Sequence, residues 1–184
     1  LVSVRSSEAE EIQKIILERN RHILQDIPEE YDIEFEDFQD SIKTALMFDY
    51  WINEATEDKV LTKFNVAPGE LYNKLQLIDW LVYALHELAL LSGYKELLTE
   101  IRKLRVRLKY GIKEELMALV KLKGIGRVRA RKLFNAGLVS LESLRKAQPE
   151  SIIKIIGVKT TREIKKQLGE KTEEIDEDKQ STLN

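Results

Sequence analysis

The chain has 184 residues, 43% hydrophobic and 34% charged, with a formal net charge of −2, enough for one good core or two small ones and hence for one or two soluble domains. It has no cysteine and two widely separated histidines, His22 and His86, which excludes disulfides, thiol nucleophiles and cysteine–zinc sites and gives no basis for a metal cluster. No run is long or apolar enough to cross a bilayer and no signal peptide is visible, so a cytoplasmic protein is expected, and the missing initiator methionine suggests a piece of a longer chain or a processed product.

The sequence reads as helix after helix. "SSEAEEIQKIILERNRHIL" opens with a capping-box pattern, Ser7 with Glu10 three residues on, and continues with helical spacing through Ile12, Ile15, Ile16 and Ile23 until Pro28. "FEDFQDSIKTALMFDYWINEA" predicts a second helix ending near Glu54, and "EDKVLTKF" a short third. Pro68 stands at a favoured first helical position and opens a long helix over 68–92, closed by Gly93. A fifth helix follows in "YKELLTEIRKLRVRLKYG", and "KEELMALVKL" predicts another. No strand-like alternation persists, so the expected fold class is all-α, a helical bundle with one long helix followed by a small second helical domain. The boundaries read as 1–110 for the bundle, 111–169 for the second domain and 170–184 for an acidic, flexible tail.

Charge is distributed unevenly along this order. Residues 1–99 hold 9 Lys or Arg against 20 Asp or Glu, residues 100–171 hold 20 against 7, and residues 172–184 hold 1 against 5. A basic segment between acidic ones suits a polyanionic partner; a solvated charged surface of the kind found in heat-adapted proteins is the other reading.

Two stretches carry candidate chemistry. In the long helix, Leu71, Leu75, Ile78, Val82, Leu85 and Ala89 form an apolar stripe that should face the core. Trp80 lies about 200° around the axis from Ile78. It shares its side with Asn73, Leu77, Ala84 and Glu87, and either packs against a further helical layer or offers a platform for a nucleic-acid base. The second stretch is "LVKLKGIGRVRARKLFNAG": Leu119, Val120 and Leu122 close one element, Gly124 and Gly126 flank Ile125, and Ala130, Leu133 and Phe134 line the core side of the next helix. Glycines permit a tight turn and close backbone approach, and amides at a helix start favour a phosphate. Lys123, Arg127, Arg129, Arg131 and Lys132 would surround it with charge, Arg127 and Arg131 extending the site along a strand. This is the helix-hairpin-helix pattern, a grip on the nucleic-acid backbone; a purely structural turn is the alternative. "IIKIIGVKTTREIKKQL" is a degraded second copy with Lys159 in place of Gly126, where Gly157 is expected to be structural.

Residues 1–168 resemble the C-terminal part of archaeal Hjm or HELQ-type DNA helicases of superfamily 2, most specifically over "KYGIKEELMALVKLKGIGRVRARKLFNAG". The resemblance implies that two RecA-like motor domains and a winged helix precede this region in the longer protein, an ATP-driven 3′ to 5′ helicase of replication-fork repair and recombination. It also implies that the long helix is a ratchet across the DNA channel, that Trp80 stacks on a base, and that Gly124 to Lys132, with Ile125 and Gly126 between them, hold the departing single strand. Single-stranded or forked DNA and the motor domains are the implied partners. Where the family tends to carry an arginine two turns before the Trp, this chain has Asn73 with Lys74 beside it, so Lys74 is the candidate phosphate contact there. No GxxxxGK[ST] loop or DExH-type box occurs, so ATP and Mg are expected in the motor domains and no catalytic residue, cofactor or metal in this chain.

Two other classes compete. A helix-hairpin-helix glycosylase needs an Asp soon after the hairpin, and none occurs between Asp79 and Asp176. A protein-interaction or nuclease-associated adaptor module needs an apolar outer face, which the alternating basic residues oppose. In the tail, Gln180 and Leu183 of "QSTL" match the first half of a sliding-clamp-binding peptide, whose aromatic residues would have to follow Asn184.

Overall fold

The computed structural model describes residues 1–169; Gln180 and Leu183 lie outside the described residues. The chain divides into two compact units, Leu1–Lys109 and a second from Tyr110 onward. All regular structure among the described residues is helical, and none of these helices is long and apolar enough to cross a membrane.

In the first unit, α1 (Ala9–Arg19), α2 (Phe35–Ile52), α3 (Glu57–Phe64), α4 (Pro68–Leu91) and α5 (Leu98–Tyr110) pack around α2. Successive faces of α2 supply Phe38 to a cluster with Ile12 and Ile16 of α1, Met47 to one with Val60, Phe64 and Leu71, and Ile52 to one with Val82, Ala89, Ile101 and Leu108. The polar side of α2 ties down the first residues of the chain. Thr44 Oγ1 accepts from the Val2 amide at 2.8 Å, an Asp40 carboxylate oxygen accepts from the Val4 amide at 2.7 Å, and the buried Lys43 ammonium donates to the Ser3 carbonyl at 2.8 Å and to Glu8 at 2.6 Å. A buried ammonium is tolerable because it is paired and hydrogen-bonded. Burial pushes the Glu8 carboxyl up, but the Lys43 hydrogen bond, the Arg5 amide and the charges of both residues outweigh it and hold Glu8 below the usual carboxylate range.

The same pairing accounts for the first departure from the expected elements. No capping box forms at Ser7; the cap position falls on Glu8, which gives its carboxylate to Lys43 and the Arg5 amide, and α1 starts at Ala9. Pro68 does open α4, preceded by Asn65 in the left-handed conformation, where Asn is among the residues that fit best. Along α4, Leu71, Val82 and Ala89 are buried and Leu75 and Ile78 half-buried, but Leu85 is exposed. It lies about 60° around the axis from Val82, at the margin of the apolar stripe.

α4 is fixed to α5 by a two-point ion pair. Arg105 donates from Nε to one Asp79 oxygen at 2.8 Å and from Nη2 to the other at 3.0 Å, while its guanidinium lies 4.9 Å from the centre of the Tyr83 ring. The Arg105 hydrogen bonds hold the Asp79 carboxyl below the usual range and raise Arg105 in turn.

The second unit holds α6 (Arg127–Asn135), α7 (Leu141–Lys146), α8 (Pro149–Ile156) and α9 (Val158–Gln167). The helix expected over "KEELMALVKL" is two short 3₁₀ turns instead, Glu114–Leu116 and Leu119–Lys121. Leu116, Leu119 and Leu122 recur every third residue and are all buried, and a repeat of three matches the 3₁₀ turn rather than the α-helix. With Ile125, Ala130, Leu133, Leu144, Ile152 and Ile164 they make the core. Lys165, 2% exposed, crosses beneath α7 and donates to the Arg145 and Ala147 carbonyls at 3.0 and 2.8 Å, satisfying the orphan end of that helix.

Because the folded Asp79 carboxyl titrates below its unfolded value, its contribution is present above the unfolded Asp pKa of about 3.9 and is lost as pH falls through the lower folded value. In paired thermal melts, Asp79→Asn should lower Tm by about 2–4 °C near neutral pH and by progressively less as pH falls through the lower folded value. A gap that persists in acid would mean the pair does not act through its charge.

Candidate nucleic-acid interface

The first hairpin is built on a four-residue turn. The Ile125 amide donates to the Leu122 carbonyl at 3.1 Å, and Gly124, third in the turn, has φ +90°, a value that type II turns require at that position and that side-chain-bearing residues rarely adopt. Ile125 is 2% exposed. Its side chain anchors the turn in the core, and its amide is already bonded to the Leu122 carbonyl.

Gly126 is different. Its backbone is extended, φ −95° and ψ −176°, where any residue is comfortable, and a Cβ added there would meet nothing within 4 Å. Neither torsion nor packing inside the unit calls for glycine. Gly126 caps α6, whose first-turn amides have no acceptor four residues back within the helix. With the positive end of the helix dipole, this corner favours an anion.

The basic residues separate into two groups. Lys123, Arg129 and Lys132 are exposed. Arg129 also folds back, donating to the Gly124 carbonyl at 2.9 Å and closing the hairpin from outside. Arg127 and Arg131, expected to run along a strand, are half-buried and have internal partners. Arg127 donates to the Gly111 carbonyl at 3.5 Å; Arg131 pairs with Glu115 at 2.9 Å and lies 5.1 Å from the centre of the Phe134 ring. They hold the segment 111–115 to α6, so removing them would disturb the fold as well as the charge. Exposed Lys121, passed over in the sequence because it sits on an apolar run, adds a further cation to the rim of an open depression of about 560 Å³ that includes Gly124, Gly126 and Gln167.

The second hairpin keeps the turn and loses the approach. Gly157 has φ +82°, its amide donates to the Ile153 carbonyl at 2.8 Å, and its carbonyl accepts from the Thr161 amide and hydroxyl at 3.1 and 2.8 Å. Lys159 stands where the first copy has Gly126. Gly157 is structural.

On α4, Trp80 is 62% exposed and belongs to no core cluster of its unit. Leu77, Leu81 and Leu88, exposed beside it, make its face more apolar than a solvent-facing helix needs. Trp51 is the structural tryptophan of this unit, its indole donating to the Leu108 carbonyl at 2.8 Å. The Lys74 ammonium, the candidate phosphate contact, bonds the Leu1 carbonyl at 2.7 Å and Glu70 at 3.2 Å, and its side chain is only 15% exposed. It also lies about 120° around α4 from Trp80. Asn73, on the Trp80 side, is exposed.

Residues 1–111 match the family described as archaeal helicase, domain 4, and residues 116–170 match the SAM-like helix-hairpin-helix tandem. The chain belongs to the archaeal helicase domain 4 family. Among the similar proteins are ATP-dependent DNA helicases Hel308. That of Thermococcus kodakarensis is 40% identical over 91% of this chain and 15% of its own length, and that of Pyrococcus horikoshii 39% over 84% and 22%. That of Methanocaldococcus jannaschii is 43% identical over 75% of this chain and 11% of its own length. The chain thus spans about a fifth or less of the curated relatives it matches, and with its helix-hairpin-helix tandem it corresponds to a C-terminal helicase module.

The two tryptophans separate by their environments. Trp80→Ala should leave Tm almost unchanged, whereas Trp51→Ala should cost roughly 3 kcal/mol through lost packing and an unpaired carbonyl; equal losses in thermal melts would place Trp80 in a core.

Proposed function

We propose that this chain is the DNA-binding module of an ATP-dependent 3′ to 5′ DNA helicase acting in fork repair and recombination, and that it holds single-stranded DNA while the motor domains elsewhere in the longer protein hydrolyse ATP with Mg as cofactor. Gly126 carries the reading. Its ordinary torsions and the empty space beside it leave room for a group that comes from outside, and it stands at a helix start among exposed Lys123, Arg129 and Lys132.

The chemistry is positional. A phosphate oxygen accepts from amides at the start of α6 while Lys123, Arg129 and Lys132 neutralise the flanking backbone; because phosphates carry no base identity, the grip is independent of sequence. Trp80 offers its exposed ring to a base, a contact of roughly 1–3 kcal/mol that every base can make. A stack of that size is strong enough to hold one base and weak enough to be broken at each step of translocation. An adaptor role has little support: among the described residues of the second unit the large hydrophobics that stand exposed are two valines, Val128 and Val139, little apolar area for a docking face.

Binding of an oligo-dT strand, followed by anisotropy across a salt series, tests this directly. Affinity should fall with a log–log slope of about −0.7 per phosphate neutralised, and the double change Arg129→Ala with Lys132→Ala should flatten that slope by up to about 1.4. A salt-independent affinity contradicts the reading. Gly126→Val should weaken binding about tenfold or more while costing at most about 1 kcal/mol of stability as a poorer helix cap. In the complete helicase, Trp80→Ala should leave ATP hydrolysis running but uncouple it from unwinding.

A further inference from the structure

α9 does more than complete the second hairpin. Thr160, Glu163 and Gln167 recur at i, i+3 and i+7, one face of the helix, and that face meets the loop of the first hairpin. A Cβ built on Gly124 would come within 3.5 Å of a Glu163 carboxylate oxygen and 4.0 Å of the Thr160 methyl group. Gln167 reaches furthest. Its Oε1 accepts from the Lys123 amide at 2.8 Å, and its Nε2 donates to the Lys123 carbonyl at 3.0 Å and to the Glu163 carbonyl at 3.2 Å. One carboxamide thus takes both polar groups of Lys123, the residue that leads into the left-handed Gly124, as a neighbouring strand would.

We infer that Gln167 is the positioning residue of the phosphate grip: its carboxamide sets the Leu122–Ile125 turn, and so the direction in which Gly126 and the start of α6 face a phosphate. This rests on the phosphate reading above. Gln167 is exposed and contributes no buried apolar surface, and the turn is already anchored to the core by Ile125, so the fold does not depend on it. It lines the same open depression as Lys123, Gly124 and Gly126. Gln167 acts through Lys123, leaving the phosphate to the amides and cations. The degraded second hairpin thereby keeps a purpose. It no longer presents an open corner of its own, but its outgoing helix is the template on which the first loop is held.

Gln167→Met tests the inference in the full 184-residue chain, because methionine keeps the length and helix propensity of the side chain and removes both hydrogen-bonding groups. With a labelled oligo-dT strand, affinity should drop about fivefold at every salt concentration, the share of a lost two-bond clamp. The salt slope should not change, because the same phosphates are neutralised, Tm should stay within about 2 °C, and the Lys123 amide should exchange with solvent faster. Unchanged affinity despite faster Lys123 exchange overturns the inference. So does a slope shallower by about 0.7, which would make Gln167 part of the phosphate contact itself, and so does a fall in Tm that accounts for the binding loss. Gly126→Val, run in parallel, separates the two levels. If it too leaves affinity intact, the phosphate reading fails; if it alone weakens binding, only the role of Gln167 falls.

Discussion

What the second unit can offer an anion depends on one backbone conformation, φ +90° at Gly124. That left-handed residue lets the chain leave the 3₁₀ turn at Leu119–Lys121, bury Ile125 and enter α6 at Arg127. An alanine there would be strained whatever room it had. Three groups hold the turn from different sides: Ile125 from the core, the Arg129 guanidinium on the Gly124 carbonyl, and the Gln167 carboxamide on Lys123. A loop so constrained has little freedom left to lose when a phosphate arrives, and small entropic loss is what allows a contact of a few hydrogen bonds to hold.

The first unit meets a related demand with different chemistry. An exposed side chain such as Trp80 has little packing of its own to fix it. Trp80 is placed by its neighbours on α4: Asp79 is held by two hydrogen bonds from Arg105, Tyr83 lies under the same guanidinium, and Val82 is buried against α2 and α5. The axial rotation of α4 is set by these contacts, and Trp80 faces outward as a consequence. Elsewhere in the bundle, Lys43 binds Ser3 and Glu8 and so fastens the first residues to α2, a buried charge made tolerable by its ion pair and hydrogen bonds.

Much of this was legible in the sequence where the signal is local. Pro68 and the apolar spacing after it gave the long helix its start, and the two glycines around Ile125 marked the hairpin. Signals that need a partner distant in the chain were not legible. Glu10 looked like a capping residue because nothing local reveals that Glu8 pairs with a lysine 35 positions on. Arg127 and Arg131 looked like free cations because Gly111 and Glu115 are brought to them only by the fold. Lys74 looked available beside Asn73 until the Leu1 carbonyl was seen to bind it. Gln167 carried no signal at all, a polar residue on the last turn of an amphipathic helix, 44 positions from the amide it binds. The leucines at 116, 119 and 122 did carry one, a repeat of three that distinguishes a 3₁₀ path from an α-helix.

The central claim is that the corner at Gly126 receives a phosphate of single-stranded DNA, and amide chemical shifts report on it residue by residue. In a ¹⁵N-labelled sample titrated with oligo-dT, the largest changes should fall on Gly124, Gly126, Val128 and Arg129, with the Trp80 indole signal moving over the same range of concentration. Changes centred on Gly157–Thr161, or spread evenly over the basic surface with Gly126 unmoved, would contradict it.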